Sequence, residues 1–219
     1  MFVIVAVVSM LIVSVFGLTI NGILFWRFLK GKEKHTFMKY CLAKTVPNMI
    51  VCSAFLFWAI PITAFSLTFP QIPLFLNILI GQISGYGAYI VGALIELFMA
   101  INRYSAMHSP LLDFQFANRV IAAIFISSAL FALPGIVLDS CGFIYDPDVY
   151  LWKPVNTECA NGMGHILLYS ICCITICSNS LNIATFVKLC HGKVDGITDY
   201  ERLRRRKKRA TLFAQVVFV

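Results

Sequence analysis

The sequence predicts an all-α membrane protein, a bundle of five transmembrane helices followed by the start of a sixth, on three observations. First, 59% of its 219 residues are hydrophobic, only 13% are charged and the mean hydropathy is +0.83. That is more apolar surface than one soluble core of this size can hide, so lipid must solvate much of it. Second, nearly uncharged runs of about 20 residues recur along the chain, each long enough to cross about 30 Å of hydrocarbon as a helix. Third, the connections between these runs alternate between strongly basic and neutral or acidic.

The spans fall at 2–28, 42–65, 77–105, 117–138 and 163–189, and a sixth apolar run, 210–219, is about half a crossing long. The chain is therefore expected to be C-terminally incomplete, a single membrane domain over 1–219. Barrel strands are excluded because they are about ten residues long and alternate in polarity, whereas these runs are continuous. Helices are then the remaining way to satisfy the backbone in lipid. The first run lacks a basic leader and a small-residue cleavage site and exceeds a signal-peptide core, which makes it a span. No internal repeat, low-complexity tract or flexible linker divides the chain.

The net charge of +8 would suggest nucleic acid in a soluble protein, but here its placement excludes that partner. The loop 29–41 and its borders carry Arg27, Lys30, Lys32, Lys34, Lys39 and Lys44; the loop 190–209 carries Lys193, Arg202 and the run Arg204 to Arg209. With 106–116 these are assigned to the cytoplasm. The outer loops are 66–76, which is uncharged, and 139–162, which has four acids against Lys153. The positive-inside rule then puts the N-terminus outside and the basic loops of this multi-pass membrane protein in the cytoplasm. Cysteine placement agrees with this topology. Of the eight cysteines only Cys141 and Cys159 fall in an outer, oxidising loop, so they are the one plausible disulfide pair.

Polar residues inside the spans mark the interior of the bundle, because an ionisable or amide group in lipid costs several kcal/mol. Gln82, Tyr86, Tyr89, Ala93, Glu96, Ala100 and Arg103 follow helical spacing and predict one inward stripe on the third span. Asn21, Asn48 and Glu96 lie about 9 to 14 Å above their cytoplasmic ends and are expected to meet at one depth. Two readings of that polar core stay open: a hydrogen-bonded cluster that fixes helix register, with Glu96 protonated, or a cation- or proton-linked switch. Pro47, Pro61 and Pro134 are expected to bend their helices. Tyr86 and Tyr89, with Gln82 and Trp58, are the candidates for a small-molecule pocket. Arg103 ends the inward stripe at the cytoplasmic edge, within Asn102-Arg103-Tyr104 and shortly before His108-Ser109-Pro110.

INRYSAMHSP resembles the acid-Arg-Tyr motif that ends the third helix of rhodopsin-like G-protein-coupled receptors. More narrowly, LAKTVPNMIVCSAFLFWAIP, IGQISGYGAYIVGALIELFMAINRY, CGFIYDPDVYLW and LNIATFVKL are similar to the nematode chemosensory receptors called serpentine receptor class X. The resemblance runs from about Gly17 to the last residue. It implies a rhodopsin-like helical bundle that binds an external small molecule and activates a heterotrimeric G protein, with Asn102, Arg103 and Tyr104 facing that protein. Asn102 stands where the common triplet has an acid, and no cysteine between Cys52 and Cys141 is available for the usual bridge from helix three. The fifth span has no proline and the fourth no tryptophan.

No paired aspartates, metal-ligating histidines or Ser-His arrangement points to an enzyme, and no cofactor is implied. The competing readings are a fragment of a transporter or channel, or a truncated receptor that does not signal. A transporter predicts discontinuous helices or an inverted repeat. The run Arg204 to Arg209 suits either anionic membrane lipids or the G protein.

Overall fold

The computed structural model describes residues 2–31, 36–106, 114–138 and 141–191. His108-Ser109-Pro110, most of 106–116, the basic loop from 192 to 209 with Arg204 to Arg209, and the sixth run 210–219 lie outside the described residues.

Among the described residues, five helices are long and apolar enough to cross a membrane. α1 (Phe2–Lys30) is apolar throughout and closes on Arg27 and Lys30. The Lys30 ammonium lies 4.4 Å from the Trp26 ring centre, as expected for a chain end returning to an interface. α2 (Thr36–Ala64) begins earlier than the run 42–65, because Tyr40 and Cys41 carry its apolar face into the core one turn sooner. The helix widens to π geometry over Phe55–Ala59, where the Ile60 N–H reaches back to the Phe55 carbonyl. Pro61 explains the site: it has no N–H, and its ring crowds the carbonyl four residues before it.

α3 (Leu74–Ser105) is the central helix, with 56% of its most apolar stretch buried, against 6% for α1 and for α5. It starts after Pro73 and passes through a π segment, Gly81–Ala88, rich in glycine. α4 (Phe114–Val137) contains Pro134. α5 (Glu158–His191) starts ahead of the run 163–189, because Thr157 caps it: its hydroxyl accepts the Ala160 N–H at 3.2 Å, and Glu158 occupies the first turn.

The connection from α4 to α5, expected only as a loop, forms an antiparallel hairpin of β1 (Phe143–Asp146) and β2 (Leu151–Pro154), with Phe143 opposite Pro154 and Asp146 opposite Leu151. Both faces of β1 are buried, so the hairpin is set into the end of the bundle instead of standing off it. A disulfide joins Cys141 to Cys159 in the first turn of α5, with Cα atoms 4.9 Å apart. Closing a loop of this size contributes roughly 3 kcal/mol. Lys153 pairs with Asp146 across the strands.

Two buried clusters flank the hairpin. Ala59, Ile62, Ile72 and Tyr145 gather Met10, Phe55, Trp58 and Trp152, and Tyr86, Ile90, Ala132 and Phe143 form the other. At the opposite end, Tyr40, Cys41, Val91, Ile95, Met99, Ala117 and Ile124 tie α2, α3 and α4 together.

The hairpin comes this close because α3 presents glycines. A Cβ at Gly81 would overlap the Phe143 carbonyl, and one at Gly85 would press on Trp152 at 3.2 Å. Gly81→Val is therefore expected to lift the hairpin while the helices remain, at a cost of about 1–3 kcal/mol. Limited proteolysis should show faster cleavage at the hairpin turn with unchanged helical circular dichroism.

Candidate functional site

At the hairpin end, Asn77 organises the contact between α2, α3 and β1. Its carboxamide oxygen accepts the Trp58 indole N–H at 3.0 Å and the Tyr145 backbone N–H at 3.0 Å, while its amide donates to the Tyr145 carbonyl at 3.1 Å. The Tyr145 ring runs on between the helices, and its hydroxyl lies 2.7 Å from that of Thr63. Burial pushes the Tyr145 phenol above its ordinary value. Trp152 packs edge-on to Tyr145 at 5.4 Å and to Phe55 at 6.2 Å. Gln82, wholly buried, donates to the Cys141 carbonyl at 3.2 Å, and Tyr86 packs on Phe143 at 5.5 Å. Three of the four residues expected in a ligand pocket, Gln82, Tyr86 and Trp58, thus engage the hairpin or its anchor.

Tyr89, the fourth, is 46% exposed and does not lie on the inward face. A strict helical period puts Tyr89, Ala93 and Glu96 inward, but the π segment ending at Ala88 changes the residues per turn and rotates the helix after it. From there the buried line is Val91, Ile95 and Met99, which leaves Glu96 at its margin.

The expected meeting of Asn21, Asn48 and Glu96 is replaced by two separate pairs. The Asn48 amide donates to the Asn21 carboxamide oxygen at 3.1 Å, and the Asn21 amide donates to the Gly17 carbonyl at 2.8 Å. Glu96 instead meets Lys44, with the ammonium 2.5 Å from its carboxylate. Lys44 and Asn48 are one turn apart on α2, so adjacent rungs of one helix hold α1 through an amide and α3 through a charge. The Lys44 ammonium is thus the opposite charge that Glu96 meets within the bundle. The other side of Glu96 opens on a cavity of about 110 Å³ between α3 and α5, lined by Thr175, Ser178 and Asn179 among others.

At the far end of α3, the Arg103 Nε–H donates to the Met99 carbonyl at 3.2 Å, and the guanidinium carbon lies 5.9 Å from the Phe37 ring centre. Among the described residues no carboxylate lies within ion-pair distance of it. Asn102, Arg103 and Tyr104 are all half-buried.

The architecture is thus a central α3 with a polar anchor under a disulfide-tied hairpin at one end and an Asn-Arg-Tyr triplet at the other. The sequence model of the family described as "Serpentine type 7TM GPCR chemoreceptor Srx" matches residues 11–219. The chain belongs to the Srx family. No curated protein matches it. This Srx chain is accordingly a multi-pass membrane chemoreceptor of the serpentine, all-α class, a receptor class and not an enzyme class.

Residue-by-residue reading of the Srx chain missed Asn77, Thr63, Tyr145 and Lys44. Lys44 had a signal: it falls inside a predicted span and so requires an opposite charge there. Asn77 and Tyr145 carry none, because their partnership depends on a hairpin that local sequence does not reveal.

Two outcomes follow from these contacts. Lys44→Met alone is expected to lower stability in detergent by about 2 kcal/mol, because it strands Glu96, and adding Glu96→Leu should restore most of the loss. Thermal melts of the two singles and the double would check this. Tyr145→Phe should cost about 1 kcal/mol through the lost Thr63 contact. Because burial raises the Tyr145 phenol above 10.0, its contribution is complete below about pH 10 and is lost as pH rises through the raised value. The wild-type melting temperature should fall in that alkaline range more steeply than that of Tyr145→Phe.

Proposed function

We propose that this Srx chain sits in the plasma membrane with its hairpin end outside, binds an external small molecule there and signals to a cytoplasmic heterotrimeric G protein through Asn102, Arg103 and Tyr104. The observation that carries the reading is the state of Arg103. Its guanidinium is half-buried at the end of the central helix, held by one backbone carbonyl and an aromatic face, and among the described residues no carboxylate lies within ion-pair distance of it. A charge so weakly held exchanges these contacts for a partner's carbonyls or carboxylates at little cost. Charge asymmetry supports the orientation, because Arg27, Lys30 and Lys39 lie at the Arg103 end and Asp146, Asp148 and Glu158 around the hairpin.

On the ligand side, Gln82 and Tyr86 are buried beneath the hairpin and Trp58 is part-buried beside it, whereas Tyr89 stands on the exposed side of α3. Asn21, Asn48 and the Lys44–Glu96 pair then set the register of α1, α2 and α3 between the two ends. The measurement is nucleotide exchange on purified heterotrimeric G protein added to membranes that contain the chain. Arg103→Leu is expected to reduce exchange about tenfold or more while leaving the amount of folded protein unchanged. Equal exchange in the variant would defeat the assignment of the triplet.

A further inference from the structure

Beside the hairpin lies a pocket of about 270 Å³ that shares only Thr63 with the contacts above. Val3 of α1, Thr63 of α2, Ser66 and Leu67 beyond it, and Asp148 and Tyr150 of the hairpin turn contribute to its wall. Its chemistry has one sign: an exposed carboxylate, three hydroxyls among these residues and two aliphatic side chains, with no cation in the lining. Lys153, the nearest lysine in sequence, is committed to Asp146.

The backbone supplies an independent reason to regard this wall as built. Among the described residues, only Ser66 (φ 50°) and Tyr150 (φ 58°) are non-glycine residues with positive φ, and both line this pocket. Each occupies a position that glycine fills without strain. Ser66 follows the C-cap of α2 in a Schellman turn, where its N–H bonds to the Thr63 carbonyl and the Leu67 N–H to that of Ile62. Tyr150 closes the four-residue turn between the strands, where a left-handed residue is ordinarily glycine. The chain accepts strain at both places and in return gains a hydroxyl and a phenol in one pocket.

We propose that this pocket is a binding site for a small primary ammonium compound with an apolar tail, its charge met by Asp148 and its tail by Val3 and Leu67. The Tyr150 ring adds a face suited to a cation. At about 30 Å³ for each water-sized group, the pocket admits roughly nine such groups, the size of 2-phenylethylammonium. Thr63 lines the pocket and its hydroxyl lies 2.7 Å from that of Tyr145, so an occupant sits one side chain away from the anchor of the hairpin. Occupancy is independent of the receptor reading; only its role as the external signal rests on that reading.

The experiment uses the whole chain in phosphatidylcholine nanodiscs, with 2-phenylethylammonium as probe and 2-phenylethanol as its neutral counterpart, read by calorimetry. Saturable binding of the ammonium is expected, with the alcohol at least about tenfold weaker. Asp148→Asn should abolish that difference. Tyr150→Gly and Ser66→Gly should each raise the melting temperature, by relieving strain, and yet weaken ammonium binding. A purely structural turn would show the first effect without the second, and that result overturns the proposal. So would equal affinity for the two probes, or no saturable binding up to about 10 mM. Nucleotide exchange on added G protein separates the two readings. Binding that depends on Asp148 without exchange upholds the pocket and sinks the receptor reading; exchange without such binding does the reverse.

Discussion

The Asn77 carboxamide bears the constraint on which the hairpin end depends. A strand set into the mouth of a helix bundle brings backbone N–H and C=O groups to a place with no further strand to receive them, and each would cost the fold if left unmet. Asn77 has one donor and one acceptor aimed at a single residue, so it serves the Tyr145 N–H and C=O as another strand would. It also takes the Trp58 N–H, which otherwise faces apolar neighbours beside the π turn of α2. The position of β1, the burial of Tyr145 and the cover over Gln82 and Tyr86 all follow from that one side chain.

The two ends of α3 are built on different physics. Near the hairpin, small residues let another backbone approach: Gly81 meets the Phe143 carbonyl and Gly85 the Trp152 side chain. The same economy recurs at Gly135, where a side chain would overlap the Gln82 amide, and at Gly17, which a Cβ would bring to 2.7 Å from the Cys52 sulfur. Toward Arg103 the contacts are of ordinary helix-packing kind, Val91, Ile95 and Met99 against Tyr40, Cys41 and Ile124. Between them, the Lys44–Glu96 pair joins α2 to α3 at a depth where charge is tolerated only in company.

The spans were legible because lipid imposes a composition on twenty residues at a time, and the membrane class followed from the same signal. The place of Arg103 near the end of α3 was legible because the apolar run ends there abruptly. What escaped were features set by pairs distant in sequence. Asn77 and Tyr145 are 68 residues apart and Lys44 and Glu96 are 52 apart, and neither partner announces the other. The misplacement of Tyr89 and Glu96 has a different cause. A stripe drawn at 3.6 residues per turn assumes an unbroken α-helix, and Gly81–Ala88 breaks that assumption. The glycines and serine there were a visible warning of irregularity, though not of its direction.

The disulfide has a mechanical consequence. Cys141 precedes β1 and Cys159 lies in the first turn of α5, so the hairpin is a closed ring clamped at its base to that helix. A ring of this kind cannot peel away strand by strand. The bond ties it directly to α5, a helix that borders the Glu96 cavity through Thr175 and Ser178. The hairpin and the middle of the bundle are therefore joined through covalent bonds and one continuous helix.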